Sequence, residues 1–125
     1  MPRTAVPYTN LVPNGSLAEP AGTTINPTLV TNGVVIENAD PEHTLIRVAN
    51  TSTGAKAVTV RTGTGTQSWM AGQGDQATNV ASETGVAYIG PFTSARFQQH
   101  GSKLHVDFAS GTTGTITVLR LPRGF

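Results

Sequence analysis

The chain has 125 residues, with eight Lys or Arg, seven Asp or Glu and a formal net charge of +1. This length suits one domain, and the near-neutral charge gives no global field to attract nucleic acid or anionic lipid, so neither is expected as a partner. The absence of cysteine excludes disulfides and thiolate metal sites. Only 12% of the residues are charged, against a usual ~25%, which is typical of β-proteins that pack beside copies of themselves or other chains.

The N-terminal part of the chain is rich in proline, with five of the eight prolines in the first 28 residues. Proline blocks helices and removes ladder donors, so residues 1–28 are predicted to form an extended arm that precedes a β-domain over residues 29–125. A loose tail is the alternative. The arm has no apolar run of signal-peptide or membrane-span length, so neither export nor insertion is expected. Its apolar residues are candidate subunit or capsid contacts: Val6, Tyr8, Leu11 and Val12.

The next segments alternate short apolar runs with turn residues. Asn32-Gly33 is either a hairpin turn or the start of a strand over residues 34–36. Apolar residues alternate over residues 44–50 and again over residues 57–62, which predicts two strands joined as a hairpin over one core. The inward-facing residues of this hairpin are Ile46, Val48, Val58 and Val60.

The final third of the chain carries the strongest strand pattern. A polar stretch over residues 71–85 predicts a long loop with one short strand at residues 77–81. Alternation resumes at 104–108 and at 115–121, separated by a Gly/Thr-rich turn, which predicts a second hairpin. Trp69, the only tryptophan, precedes this region and is a further candidate for a subunit or capsid contact.

These segments together predict the fold class. About eight short antiparallel strands, with turn signals between them and no helical periodicity, predict an all-β, single-domain β-sandwich or jelly-roll-like barrel with an extended N-terminal arm.

Candidate chemistry centres on His105 and Asp107, which share one face of a strand, with His100 nearby in the sequence. No acidic residue follows Asp107, so the chain does not complete the ligand set of a β-barrel metal site. No Gly-x-Ser-x-Gly elbow frames a serine nucleophile. We therefore expect no catalytic residue, no metal and no cofactor, and we interpret the His105 row as an outer sheet face available for contact.

The phrases Tyr88-Ile89-Gly90-Pro91-Phe92, Leu104-His105-Val106-Asp107-Phe108 and Leu119-Arg120-Leu121-Pro122, with Leu45-Ile46-Arg47-Val48-Ala49-Asn50 upstream, resemble small head proteins of tailed phages. The resemblance covers roughly residues 44–122. It implies a capsid decoration (cement) protein, a non-enzymatic β-sandwich on the outer surface of the virion head. Such a protein is made in the host cytoplasm, associates as a homotrimer and clamps neighbouring subunits of the major capsid protein.

Other functions remain open on the sequence. A phage tail, neck or baseplate component would share this composition, and Trp69, Tyr8 and Tyr88 would suit a carbohydrate-binding module. Residues 2–13 are hypothesised to contact a neighbouring subunit, in which case their deletion would weaken capsid binding. The strand arginines are expected to form scattered bridges to an acidic partner surface. They are Arg47, Arg61, Arg96, Arg120 and Arg123.

Overall fold

The computed structural model describes residues 3–11, 15–63, 71–99 and 101–121. They form a mostly β structure of two mixed sheets with two short helices, and no closed barrel is present among them. The predicted all-β, sandwich-like single domain is therefore confirmed, with ten described strands. Val12, Trp69 and His100 lie outside the described residues.

The strands in chain order are β1 (Thr4–Ala5), β2 (Tyr8–Asn10), β3 (Thr23–Ile25), β4 (Val34–Ile36), β5 (Thr44–Asn50), β6 (Lys56–Val60), β7 (Gln76–Val80), β8 (Gly85–Ile89), β9 (Leu104–Phe108) and β10 (Gly114–Arg120). The helices are α1 (Pro27–Asn32) and α2 (Ser94–Phe97), and single 3-10 turns occur at Pro41–His43 and Ala71–Gln73.

The first sheet has the strand order β1-β4-β9-β6-β7, and the second has the order β2-β10-β5-β8, with β3 also paired to β10. Most neighbours are antiparallel, as predicted. Two pairs, β1 with β4 and β2 with β10, are parallel, and both involve the N-terminal segment. The N-terminal strands therefore join sheets built from distant parts of the chain.

The core lies between the two sheets and consists of alternate residues from each strand. Ile46 and Val48 of β5 and Val58 and Val60 of β6 are all buried in this one core. Their inward orientation agrees with the period of two in the sequence.

Both predicted hairpins are wrong in their pairing. Strand β5 pairs with β8 and β10 in the second sheet, whereas β6 pairs with β7 and β9 in the first. Likewise β9 belongs to the first sheet and β10 to the second. In each case the chain crosses from one sheet to the other instead of forming a hairpin. The sequence pattern does not distinguish the two, because strands that face the same core from opposite sheets share one inward-outward alternation.

The segment before β4 is helical, which the sequence did not predict. Pro27 occupies the first turn of α1, and Asn26 Oδ1 accepts a hydrogen bond from the Leu29 amide at 2.9 Å. Both features favour a helix start. Gly33, with φ of +81°, ends α1, so Asn32-Gly33 leads into β4 and the hairpin-turn alternative is excluded. The short strand predicted at residues 77–81 is confirmed as β7.

The N-terminal segment closes one side of the sandwich. Strand β1 joins the first sheet and β2 joins the second, and Val6 lies between them in the core with 3% of its surface exposed. The Val6 amide donates to the Val35 carbonyl at 3.1 Å. Residues 3–11 are thus extended, and they pair with strands of their own chain.

Candidate interaction surface

The candidate contact residues of the N-terminal segment occupy different environments. Val6 is buried in the core of its own chain, whereas Tyr8 and Leu11 are partly exposed. Because Val6 has almost no free surface, a contact of Val6 with another subunit would require this segment to leave the sandwich, whereas Tyr8 and Leu11 have exposed surface in place. The predicted intersubunit role of these residues stays a prediction.

Tyr8 anchors β2 to the second sheet. Its hydroxyl lies 2.7 Å from Thr44 Oγ1 and accepts a hydrogen bond from the Asp40 amide at 3.0 Å. The Arg120 guanidinium covers the Tyr8 ring, with 3.9 Å from its central carbon to the ring centroid. The ring is therefore occupied by a cation–π contact within the chain.

A strap formed by residues 15–22 crosses the outer face of the second sheet. Glu19 Oε2 in the strap lies 3.0 Å from Arg47 Nη2 in β5. At Gly22, with φ of +79°, a Cβ atom would lie only 2.6 Å from Thr117 Oγ1, so the strap runs close against β10. Thr117 and Leu119 are consequently buried although they lie on the outer side of β10.

The strap leaves the β8 side of this face uncovered. Val86 and Tyr88 lie on the outer side of β8 and are 46% and 61% exposed, and Leu17 in the strap is 41% exposed. These three are the exposed large hydrophobic residues of the described part of the chain. We call Leu17, Val86 and Tyr88 the apolar patch.

A groove lies between Leu17 and Tyr88, two members of the apolar patch. It lies between the strap and the Tyr88 side chain and has a volume of about 220 Å³. The Arg47–Glu19 ion pair is part of its lining, so the charges there neutralise each other. The apolar residues in the lining are Leu11, Leu17, Pro20, Tyr88 and Leu119.

Strand β8 is also a free edge of the second sheet. Its five residues pair with β5, and no other described strand pairs with its opposite side. Strand β7 is the corresponding edge of the first sheet and has the same burial pattern along five residues. The exposed side chains differ: β7 presents Ala77 and Asn79, whereas β8 presents Val86 and Tyr88. Of these two edges, β8 is the more apolar.

The row of His105 and Asp107 lies on the outer face of the first sheet, as the sequence predicted. Asp107 Oδ1 lies 2.7 Å from Arg3 Nη1, and Asp107 Oδ2 lies 3.4 Å from Arg61 Nε. The pKa of His105 is lowered below 6.5, first by burial and then by the nearby Arg3 charge, with Asp107 opposing and Lys103 adding to the effect. Asp107 is therefore held by two guanidinium groups of its own chain, and His105 favours the neutral form.

The other described arginines from the predicted set also bind their own chain. Their contacts are Arg47 with Glu19 at 3.0 Å, Arg61 with Asp75 at 3.4 Å, Arg96 Nε with the Gly74 carbonyl at 3.0 Å and Arg120 Nη2 with the Asn38 carbonyl at 3.0 Å. These intramolecular contacts compete with the predicted bridges to an acidic partner. Arg123 lies outside the described residues.

Sequence reasoning missed Val86 and Leu17 as candidate contacts. The signal for Val86 was present, since Val86 and Tyr88 alternate with Ala87 in a strand that contains no charged residue. Their exposure could not be predicted because it depends on β8 being the last strand of its sheet. Leu17 follows turn residues in the proline-rich arm and carries no periodic signal.

Among the residues that the structure describes, no group of three or more His, Cys, Asp or Glu side chains could hold a metal ion. No helix in that part of the chain is long and apolar enough to cross a membrane. The sequence matches no protein-family model, no curated protein and no solved structure.

Proposed function

We propose that this chain is a structural virion protein that binds the outer surface of an assembled phage head. In this role it stabilises contacts between subunits of the major capsid protein, without catalysis, and it associates as a homotrimer. The proposal joins the resemblance carried by residues 44–122 to the surface chemistry of the sandwich.

The apolar patch is the observation that carries the proposal. Its three residues are the exposed large hydrophobic side chains of the described chain, and they cluster on one side of the second sheet. Clustered exposed apolar residues mark interaction sites, whereas single ones are ordinary on protein surfaces. A face that remains apolar in a chain otherwise rich in small polar residues supports a protein-binding role.

The low charge supports the same role. Only 12% of the residues are charged, and one acidic residue on the outer side of each sheet is engaged by an arginine of the same chain, in the pairs Arg47–Glu19 and Arg3–Asp107. Attraction to a partner would therefore depend on buried apolar area and backbone pairing more than on long-range electrostatics.

Imaging of heads with and without the protein tests the proposal. Heads that lack the protein are purified from the phage that encodes it. These heads are incubated with the purified protein, pelleted and imaged. The expected result is saturable binding with density repeated over the shell. Density confined to one vertex, a neck or a tail would support the tail-component alternative, and no binding to particles would overturn the proposal.

A carbohydrate-binding module is a second candidate, favoured by the exposed ring of Tyr88 beside the groove. Aromatic rings at such positions stack on sugar faces. The Tyr8 ring is less suitable because Arg120 covers it. Titration with glycans, followed by NMR chemical shifts, would test this function. Shifts near Tyr88 in the wild type that are lost in a Tyr88→Ala variant would support it.

A further inference from the structure

We infer that the β8 edge and the adjoining groove form the docking site for an extended, uncharged segment of a capsid subunit. The segment adds a strand beside β8 and places one apolar side chain in the groove against Tyr88. This inference rests on the proposed function and names the surface and the partner chemistry.

The backbone of β8 provides the first argument. A sheet edge presents unpaired N–H and C=O groups, and proteins usually protect such edges with charged residues, proline or a covering segment. Residues 85–89 contain neither charge nor proline, and no described strand covers the outer side of β8. As far as the described residues extend, the edge is thus open to an added strand, which main-chain hydrogen bonds would hold.

The comparison of β8 with β7, the five-residue edge strand of the first sheet, provides the second argument. Strands β7 and β8 have the same length and burial pattern, but β7 exposes Ala77 and Asn79 where β8 exposes Val86 and Tyr88. A β-branched residue and an aromatic residue on a sheet favour cross-strand pairs with apolar side chains. The sandwich therefore offers two similar edges, of which β8 has the chemistry to retain a partner strand.

The groove specifies the chemistry of the segment. Its volume of about 220 Å³ corresponds to roughly seven water molecules at ~30 Å³ each, which suits one large side chain and not a second strand. Its walls are mostly apolar, and the charged residues in its lining, Arg47 and Glu19, are paired 3.0 Å apart. Arg47 Nε has no hydrogen-bond partner among the described residues, but it is buried and does not face the groove space. A charged side chain entering the groove would therefore lose hydration where Arg47 and Glu19 already pair with each other, so an apolar side chain is favoured.

A second copy of the chain is the alternative occupant, and the area argues against it. Pairing β8 with itself joins five residues on each side, about 17 Å of strand, so the strip covers on the order of 200 Å². Stable dimers bury about 800 Å² per partner. A repeated shell surface overcomes this deficit, because an oligomer that engages several sites gains avidity.

The test uses two double variants with equal added charge. One carries Val86→Lys and Tyr88→Lys in β8, and the matched control carries Ala77→Lys and Asn79→Lys in β7. All four positions are exposed, so both variants are expected to fold, which thermal unfolding verifies. On heads that lack the protein, we expect the β8 variant to bind about tenfold more weakly or worse, and the β7 variant to bind like the wild type.

Hydrogen exchange on the unsubstituted protein gives an independent measurement. Binding to heads should slow exchange at the β8 amides that point away from β5 and leave the β7 edge amides unchanged. If the wild type binds heads but the β8 variant binds equally well, or β8 gains no protection, the docking site is wrong while the proposed function stands. If the wild type does not bind, both fail. If β8 is already protected in the free protein and the β8 variant dissociates an oligomer, a second copy occupies the edge and the inference is overturned.

Discussion

Arg3 and Asp107 lie 104 positions apart in the sequence and form an ion pair across the first sheet, with Arg3 Nη1 2.7 Å from Asp107 Oδ1. The same Arg3 nitrogen donates to the Val34 and Val106 carbonyls at 3.4 and 3.3 Å. The first described residue of the chain is therefore tied to β4 and β9. The N-terminal segment therefore contacts the core through Val6 and the outer face of the first sheet through Arg3.

The Arg3→Ala variant should lower the free energy of unfolding by about 1 kcal/mol at low salt. Both side chains are partly exposed, and such pairs contribute little because solvent screens them. Urea unfolding at low and high salt measures the effect, which should shrink at high salt. The Lys103→Ala variant is the control, since no ion pair of Lys103 occurs among the described residues, and it should change stability by less than about 0.5 kcal/mol. An Arg3 effect that is independent of salt would contradict the ion-pair explanation.

The Val6→Ala variant should cost about 2 kcal/mol of stability, because it removes two buried carbons and leaves a cavity between the sheets. Val6 is 3% exposed, and the neighbouring exposed Ala5 provides the control variant Ala5→Ser. Chemical denaturation of both variants measures the difference. Equal stability of the two would mean that residues 3–11 do not dock on their own sandwich in solution.

The Val6 environment also changes how the predicted arm contact should be tested. Deleting residues 2–13 would remove β1, β2 and a core side chain, so weaker capsid binding by that variant would not identify a contact. Substitutions at exposed positions, such as those in β8, separate binding from folding.

The sequence predicted which residues face the core but not which strands pair. Ile46 and Val58 were assigned correctly to one core because alternation depends only on the local backbone. The pairing was wrong because a strand in either sheet presents the same alternation to a shared core, and the 109–113 connection can cross about 10 Å between sheets as readily as it can close a hairpin. Helix α1 was missed because its six residues are too few for a helical period.

The candidate site was predictable only in part. The sequence analysis named Tyr88 as an aromatic residue that would suit sugar binding, and the absence of charge around it can be read from the sequence. The edge position of β8 and the position of Leu17 near Tyr88 depend on contacts between distant segments. Local patterns do not contain that information.

Asn50 lies at the end of β5, where the chain crosses to β6, and is 1% exposed. Its amide nitrogen donates to the Val80 and Ala81 carbonyls at 3.0 and 3.1 Å, and its oxygen accepts from the Ser52 amide at 3.0 Å. One side chain thus joins the end of β5 in the second sheet to the end of β7 in the first.

The Asn50→Leu variant should therefore lose about 3 kcal/mol of stability. It removes these hydrogen bonds and takes the Asn50 donor away from the buried Val80 carbonyl, a cost greater than that of the bond itself. Asn79→Leu, at an exposed position on β7, should change stability by less than about 0.5 kcal/mol. Thermal and urea unfolding give both values, and a near-neutral Asn50 variant would show that the crossing does not depend on this side chain.

His105 predicts a pH dependence of folding. Burial and the Arg3 charge lower its pKa in the folded chain below the unfolded value of 6.5, so the unfolded chain binds the proton more tightly. The resulting stabilisation is fully present above pH 6.5 and is lost as the pH falls through the lower folded pKa. Urea unfolding between pH 8 and pH 5 should therefore show a steeper loss of stability for the wild type than for His105→Gln, with parallel curves above pH 7. Parallel curves over the whole range would mean that His105 titrates alike in the folded and unfolded chains.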